Sequence, residues 1–444
     1  MAGSLRRVLG LKDLILYGII LIMPIAPVPL YGVAQKLSQG HAVTTILLAM
    51  VAMTLTAFSY GRMAAKFPAA GSAYTYVGRG LNPHLGFLAG WAMIMDYLLV
   101  PLICTVYGAL TIQRLVPAVP YAVWAAILAG AMTVINLRGI RATANANLVL
   151  MIAMMVVILA FMGLAVRWLF HAQGWPGLFS VQPFYDPTTF HWKSIMTGTS
   201  LAALTYGGFD GVSTLSEDVE NPRRNILLAT VFVCLFTGIF GGLQVYLAQR
   251  ISPGMANLTN LETAFIDITR IVGGPVLFTA MAVILIIANL GCGLSAVAGV
   301  SRLLFGMGRD RVLPGRVFGY VDERRGTPVY NILLVGLFTY IASLCLNYER
   351  AAELINFGAF IAFMGVNAAV IRQFYFLRSK AERRMVPDVL LPGAGFLFCL
   401  AIWLSLPTQA KLLGCFWFSL GLIWSAIQTR GFRVPPLMVS FEEV

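Results

Sequence analysis

Two carboxylates and one run of prolines are the groups with chemistry to do inside otherwise apolar stretches of this chain. Asp210 lies in TYGGFDGVSTLSED, residues 205–218, among Gly207, Gly208 and Gly211, and Asp96 lies in GWAMIMDYLLVP. A carboxylate among apolar residues is costly unless it meets a cation or a proton, so each is a candidate for holding one or the other. Asp96 also has a plainer reading, as a buried carboxyl satisfied by a neighbouring helix. MPIAPVPLYGV, residues 23–33, carries Pro24, Pro27 and Pro29. A proline inside a helix lacks the N–H that the carbonyl four residues earlier requires. These three release the carbonyls of Ile20, Met23 and Ile25, which are acceptors suited to a ligand rich in donors.

The elements that position these groups follow from composition. The chain has 444 residues, 59% hydrophobic and 11% charged, with mean hydropathy +0.81. A soluble domain carries about 25% charged residues. The chain therefore reads as an all-α integral membrane protein. Apolar runs predict spans at 11–37, 41–64, 84–112, 120–137, 146–170, 194–216, 225–249, 272–305, 328–346, 351–375, 387–406 and 411–429, twelve in all. Arg6 and Arg7 precede a run too long for a signal peptide, which predicts a retained first span.

The net charge of +13 is topological rather than a nucleic-acid surface, because the basic residues are scattered between spans. With the N-terminus inside, the inner segments hold 23 of the 31 Lys and Arg residues, from Arg6, Arg7 and Lys12 at one end to Arg430 and Arg433 at the other. That bias predicts a multi-pass protein with both termini cytoplasmic. The six cysteines stand singly and read as packing residues, and His41, His84, His171 and His191 are too scattered for a metal site. No cofactor is expected, and the absence of a phosphate-binding loop argues against direct ATP use.

The prolines and the glycine-flanked acid both fall within predicted spans, about 180 residues apart, each in the first span of a block of roughly five. Either break alone is as well explained by packing. Paired interrupted spans in corresponding positions point instead to a substrate site in a transporter built from inverted repeats.

Four segments, FSYGRMAAKFPAAGSAYTYVGRGLNPHLGFLAGW (58–91), GGFDGVSTLSEDVENPRRNI (207–226), SRLLFGMGRDRVLPGRVFGYV (301–321) and LINFGAFIAFMGVN (354–367), resemble the amino acid/polyamine/organocation permeases, and among those the bacterial putrescine importers. The resemblance implies the leucine-transporter fold. Two inverted five-helix repeats, 1–170 and 171–375, would be followed by two trailing helices in 376–444. It also implies alternating access, with proton coupling or exchange, in a bacterial plasma membrane. Substrate would sit between the breaks, touching Ile25, Ala26, Pro27, Val28 and Pro29 on one side and Tyr206, Gly207, Gly208, Phe209 and Asp210 on the other, with Asp96 nearby. In that family an acid at the place of Asp210 takes part in coupling, and the region of Tyr206 and Phe209 supplies aromatic gate and contact residues.

Where many amino acid carriers of this family have a glycine-rich first break, this chain has IAPVPLYG. Three donors are lost and acceptors exposed, which suits an ammonium group better than a carboxylate. The expected substrate is a small amine, putrescine or another polyamine, with an amino acid as the alternative because Ile25, Ala26 and Val28 keep their N–H groups. A membrane-embedded enzyme would need a nucleophile with its base or a metal cluster, and a channel would not show exchange-stimulated uptake.

Overall fold

The computed structural model describes residues 9–68, 72–138, 144–216, 219–252, 260–309, 313–322 and 327–434. Arg6, Arg7, Arg141, Arg311, Arg324 and Arg325 of the charge pattern, and Glu217 and Asp218 of the second motif, lie outside these residues. The described chain is helical: α1 (Leu11–Ile22), α2 (Tyr31–Leu37), α3 (Ala42–Lys66), α4 (Ser72–Gly80), α5 (Pro83–Leu115), α6 (Tyr121–Leu137), α7 (Ala144–Gln173), α8 (Trp175–Leu178), α9 (Trp192–Ala202), α10 (Pro222–Ile251), α11 (Ala264–Arg309), α12 (Gly315–Phe318), α13 (Val329–Cys345), α14 (Tyr348–Ile371), α15 (Leu391–Leu404) and α16 (Thr408–Gln428).

Among the described residues, eight helices are long and apolar enough to cross a membrane. α6 and α13 are shorter apolar helices of 17 residues each. In a bilayer every backbone polar group needs an internal partner, and a helix supplies one from its own chain. The 33 residues of α5 extend about 50 Å at 1.5 Å per residue, so a bilayer core of about 30 Å requires it to tilt.

The predicted span 11–37 is present as two helices, α1 and α2, separated by turns, and the span 194–216 as α9 followed by 3-10 turns at Ala203–Tyr206 and Phe209–Leu215. Two elements differ from expectation. α4 occupies a stretch read as a loop, and helix begins at Ala264, ahead of the predicted start at 272, then breaks at Gly274 (φ 63°) before Pro275. Pro275 has no N–H to continue the ladder, and glycine adopts the left-handed conformation that the corner requires.

α3 packs along α10, α5 along both α11 and α14, and α1 rests on α10 and on the 3-10 segment 209–215. Two ion pairs join distant parts of the chain, Arg62 of α3 with Asp388 beside α15 and Arg114 of α5 with Asp267 of α11. The effect is to pack both interrupted helices against continuous ones.

Candidate functional site

The first break is a string of turns rather than a row of bare carbonyls. Met23 takes φ 68°. The N–H of Ala26 donates to Met23 at 3.1 Å, that of Val28 to Ile25 at 3.0 Å, and those of Leu30 and Tyr31 to Pro27 at 3.2 and 3.0 Å. Two of the three carbonyls expected to be free are thus taken up by i→i+3 bonds, because Pro27 and Pro29 are each preceded by a residue that still has its N–H. The Pro24 carbonyl accepts from Gln244 Nε2 of α10 at 2.8 Å. Ile25, Pro27 and Val28 are buried, and Ala26 and Pro29 partly so. The acceptors left over lie one turn earlier: no described residue donates to the carbonyls of Ile20, Leu21 or Ile22, at the C-terminal end of α1. That end also carries the negative pole of the helix dipole.

The second break turns on Gly208, in the left-handed region at φ 101°. A Cβ there would stand 3.3 Å from the Leu21 carbonyl, and one at Gly211 would stand 2.7 Å from the Leu21 side chain, so the glycines let the two breaks touch. The N–H of Gly208 has no acceptor among the described residues. Upstream, the Ser200 carbonyl of α9 accepts from Asn356 Nδ2 of α14 at 2.6 Å. Gln244 and Asn356 play one role: each is a buried amide reaching across from a continuous helix to a carbonyl of an interrupted one.

Asp210 opens the 3-10 turn 209–215. Its Oδ2 accepts from Ser72 Oγ of α4 at 3.5 Å, and its carboxylate also meets the N–H of Gly211. Asp96 of α5 is within electrostatic reach of Asp210, as are Tyr60, Tyr76 and Tyr97. Both acids are enclosed by the bundle yet keep accessible surface, so they face an interior space. Asp96 makes no hydrogen bond and neither acid a salt bridge among the described residues; the neighbouring helices offer Asp96 no partner. α5 and α14 pack closely beside it: a Cβ on Gly358 would meet the Ala92 carbonyl at 2.5 Å.

Phe209 is fully buried, with ring centroids 5.4 Å from Tyr60 and 5.3 Å from Phe363, and Tyr60 reaches Tyr76 at 5.8 Å. These rings close the space between Asp210 and the ends of α3 and α4. Tyr206 is anchored elsewhere: it is fully buried and donates its hydroxyl to the Ile46 carbonyl of α3 at 2.8 Å. The sequence reading singled out neither the tyrosines around Asp210 nor Ser72, Gln244 and Asn356. The signal available for the last two was an amide inside an apolar helix, FGGLQVYL and LINFGAF.

A helical membrane bundle in which two broken helices meet around acids facing an interior space defines a membrane transporter. The chain belongs to the amino acid permease family, which it matches over residues 14–413. It is 34% identical to the low-affinity putrescine importer PlaP of Escherichia coli K12 over 97% of this chain and 96% of PlaP. It is also similar to the methylthioribose transporter of Bacillus subtilis, at 26% identity over 96% of this chain and 94% of that one. The branched-chain amino acid permease BcaP of Lactococcus lactis is 25% identical over 94% and 93%. These relatives carry small molecules and are not enzymes.

Proposed function

We propose that this chain is a secondary active importer of a small organic cation, putrescine or a related polyamine first, in a bacterial plasma membrane. The observation that carries the reading is a pair of acids, Asp96 and Asp210, facing an interior space without a cationic partner among the described residues, beside the unpartnered carbonyls of Ile20, Leu21 and Ile22. An ammonium group donates three hydrogen bonds and accepts none. Two acids suit a molecule charged at both ends, and similarity to a putrescine importer over almost the whole chain supports the same substrate class.

In this reading the twelve spans form the leucine-transporter arrangement: repeats 1–170 and 171–375, then two trailing helices in 376–444, with both termini cytoplasmic. α1 and α2 are the halves of the first span, and α9 with the turns to Leu215 makes the sixth. Alternating access tilts the half-helices about the breaks. Asp210 binds the cation and exchanges a proton, Asp96 takes the second ammonium, and Phe209 with Tyr60 closes one side. Tyr206 anchors the second break to α3, and the turn residues Ile25 to Pro29 shape the wall behind the substrate.

One observation favours an amino acid instead. The free N–H of Gly208 could receive a carboxylate oxygen. Uptake into liposomes separates the two. Radiolabelled putrescine should accumulate saturably, faster with an inward proton gradient or with amine trapped inside, and unlabelled leucine should compete poorly. Uptake of leucine with indifference to putrescine would establish the amino acid reading in its place.

A further inference from the structure

A second polar group lies apart from the two acids. Glu262 sits in the turn Leu261–Thr263 that leads into α11, and its Oε1 accepts the N–H of Tyr348, the first residue of α14, at 3.2 Å. The N–H of Glu349 faces the same carboxylate. The start of α14 already has a cap, since Asn347 accepts from the N–H of Arg350 at 3.0 Å. Glu262 therefore completes the cap by taking the first two N–H groups of α14, and its carboxylate keeps further lone pairs for another donor. Among the described residues it makes no salt bridge.

Tyr107 of α5 faces this carboxylate. Its ring centroid is 5.4 Å from that of Tyr348, and its hydroxyl lies in the field of Glu262. The residue is fully buried, yet the hydroxyl has no hydrogen-bond partner. Thr111, which donates to the Tyr107 carbonyl at 2.8 Å, comes near the hydroxyl without hydrogen-bond geometry. A buried hydroxyl without a partner is disfavoured by about as much as a lost hydrogen bond, and a ligand that supplies one relieves it.

The neighbours continue inward. Tyr348 lies within electrostatic range of Cys104 and Cys292, Cys292 of Asp96, and Asp96 of Asp210, which links the surroundings of Glu262 to those of the central acids. The turn of Glu262 also touches α2, because a Cβ on Gly32 would lie 2.0 Å from the Leu261 carbonyl. Any tilt of α2 displaces Glu262.

We propose that Glu262, Tyr107 and Tyr348 form a second cation site, a waiting station that holds one ammonium end of the transported amine before it passes to Asp96 and Asp210. The proposal rests on the reading of the chain as an importer of a small organic cation. The carboxylate and two phenol oxygens supply acceptors for an ammonium group, and the tilted rings supply faces for its charge. Release follows when α2 tilts and draws the Leu261 turn with it.

The experiment uses the full chain in liposomes and in detergent, with putrescine as the probe. Glu262→Gln should raise the KM for putrescine uptake about tenfold and change the maximal rate by less than about twofold, as for loss of one charge-assisted contact. Tyr107→Phe should raise KM about threefold, and it keeps the test alive if the first variant does not purify, because the hydroxyl it removes holds nothing in place. With the central site disabled by Asp210→Asn, calorimetry should still detect weak putrescine binding, lost on adding Glu262→Gln. Unchanged KM in the variants that purify, or residual binding indifferent to Glu262, overturns the station while leaving the importer reading intact. A wild-type protein that carries amino acids and binds no amine sinks both.

Discussion

The two breaks interrupt their helices by opposite chemical means, and the comparison shows which of them bears the ligand groups. In the first, prolines delete N–H groups, but the gaps at Met23 and Ile25 are closed locally by Ala26 and Val28, the residues just before Pro27 and Pro29, and the Pro24 carbonyl is closed at long range by Gln244. In the second, glycines delete side chains, and Gly208 turns the backbone at the start of the 3-10 segment that carries Asp210. The proline break is a satisfied hinge with its open acceptors displaced upstream into α1. The glycine break is the reactive surface. A proline restricts the backbone and so stabilises one shape of turn, whereas a glycine permits close approach and leaves backbone groups available.

The strongest way to break this comparison is at Asp210. Asp210→Asn should lower putrescine uptake in liposomes on the order of a hundredfold, while the protein elutes as a folded species. Normal uptake by folded Asn variant would remove the second break from the site. Gly208→Ala places a side chain at φ 101° and against the Leu21 carbonyl, so it should cost about 1–2 kcal/mol in local strain, lower uptake, and reduce the melting temperature. An unaltered melting curve would show that the breaks do not meet as described.

Smaller effects test the amides. Gln244→Leu strands the Pro24 carbonyl and Asn356→Leu the Ser200 carbonyl, so each should cost about 1–2 kcal/mol of stability, read as lower melting temperatures in detergent. If only one does, the parallel between the breaks is false. The prolines give the finest test. Pro24→Ala restores a donor for Ile20 and should weaken putrescine binding about fivefold, whereas the double variant Pro27→Ala/Pro29→Ala should stay within about threefold of wild type, because Met23 and Ile25 already have donors. Calorimetry on both variants decides, and the reverse order would return the acceptor role to the Met23 and Ile25 carbonyls.

Much of the architecture was legible in the residue order. Runs of apolar residues correspond to helices because a helix is the one local structure that satisfies its own backbone in lipid, and the ends of α3, α5, α6 and α13 fall within a few residues of the predicted spans. The breaks at Pro24–Pro29 and Gly207–Gly211 were legible for the same reason, since proline and glycine act on their own turn of helix. The early start of the helix at Ala264 was not legible because Asp267 and Arg270 interrupt the apolar run ahead of Gly274.

The contents of the site depended on the tertiary structure. The local sequence specified that carbonyls would be released near Met23, but which of them stay open depends on turn bonds and on Gln244, 220 residues away along the chain. It marked Asp96 and Asp210 as costly acids without indicating that they lie within electrostatic reach of each other, and it did not distinguish Phe209, among the rings beside Asp210, from Tyr206, tied to the Ile46 carbonyl. The physical reason is range. Helix formation and interruption act over one turn and are written in neighbouring residues, whereas the pairing of a polar group is settled by whatever helix packs against it.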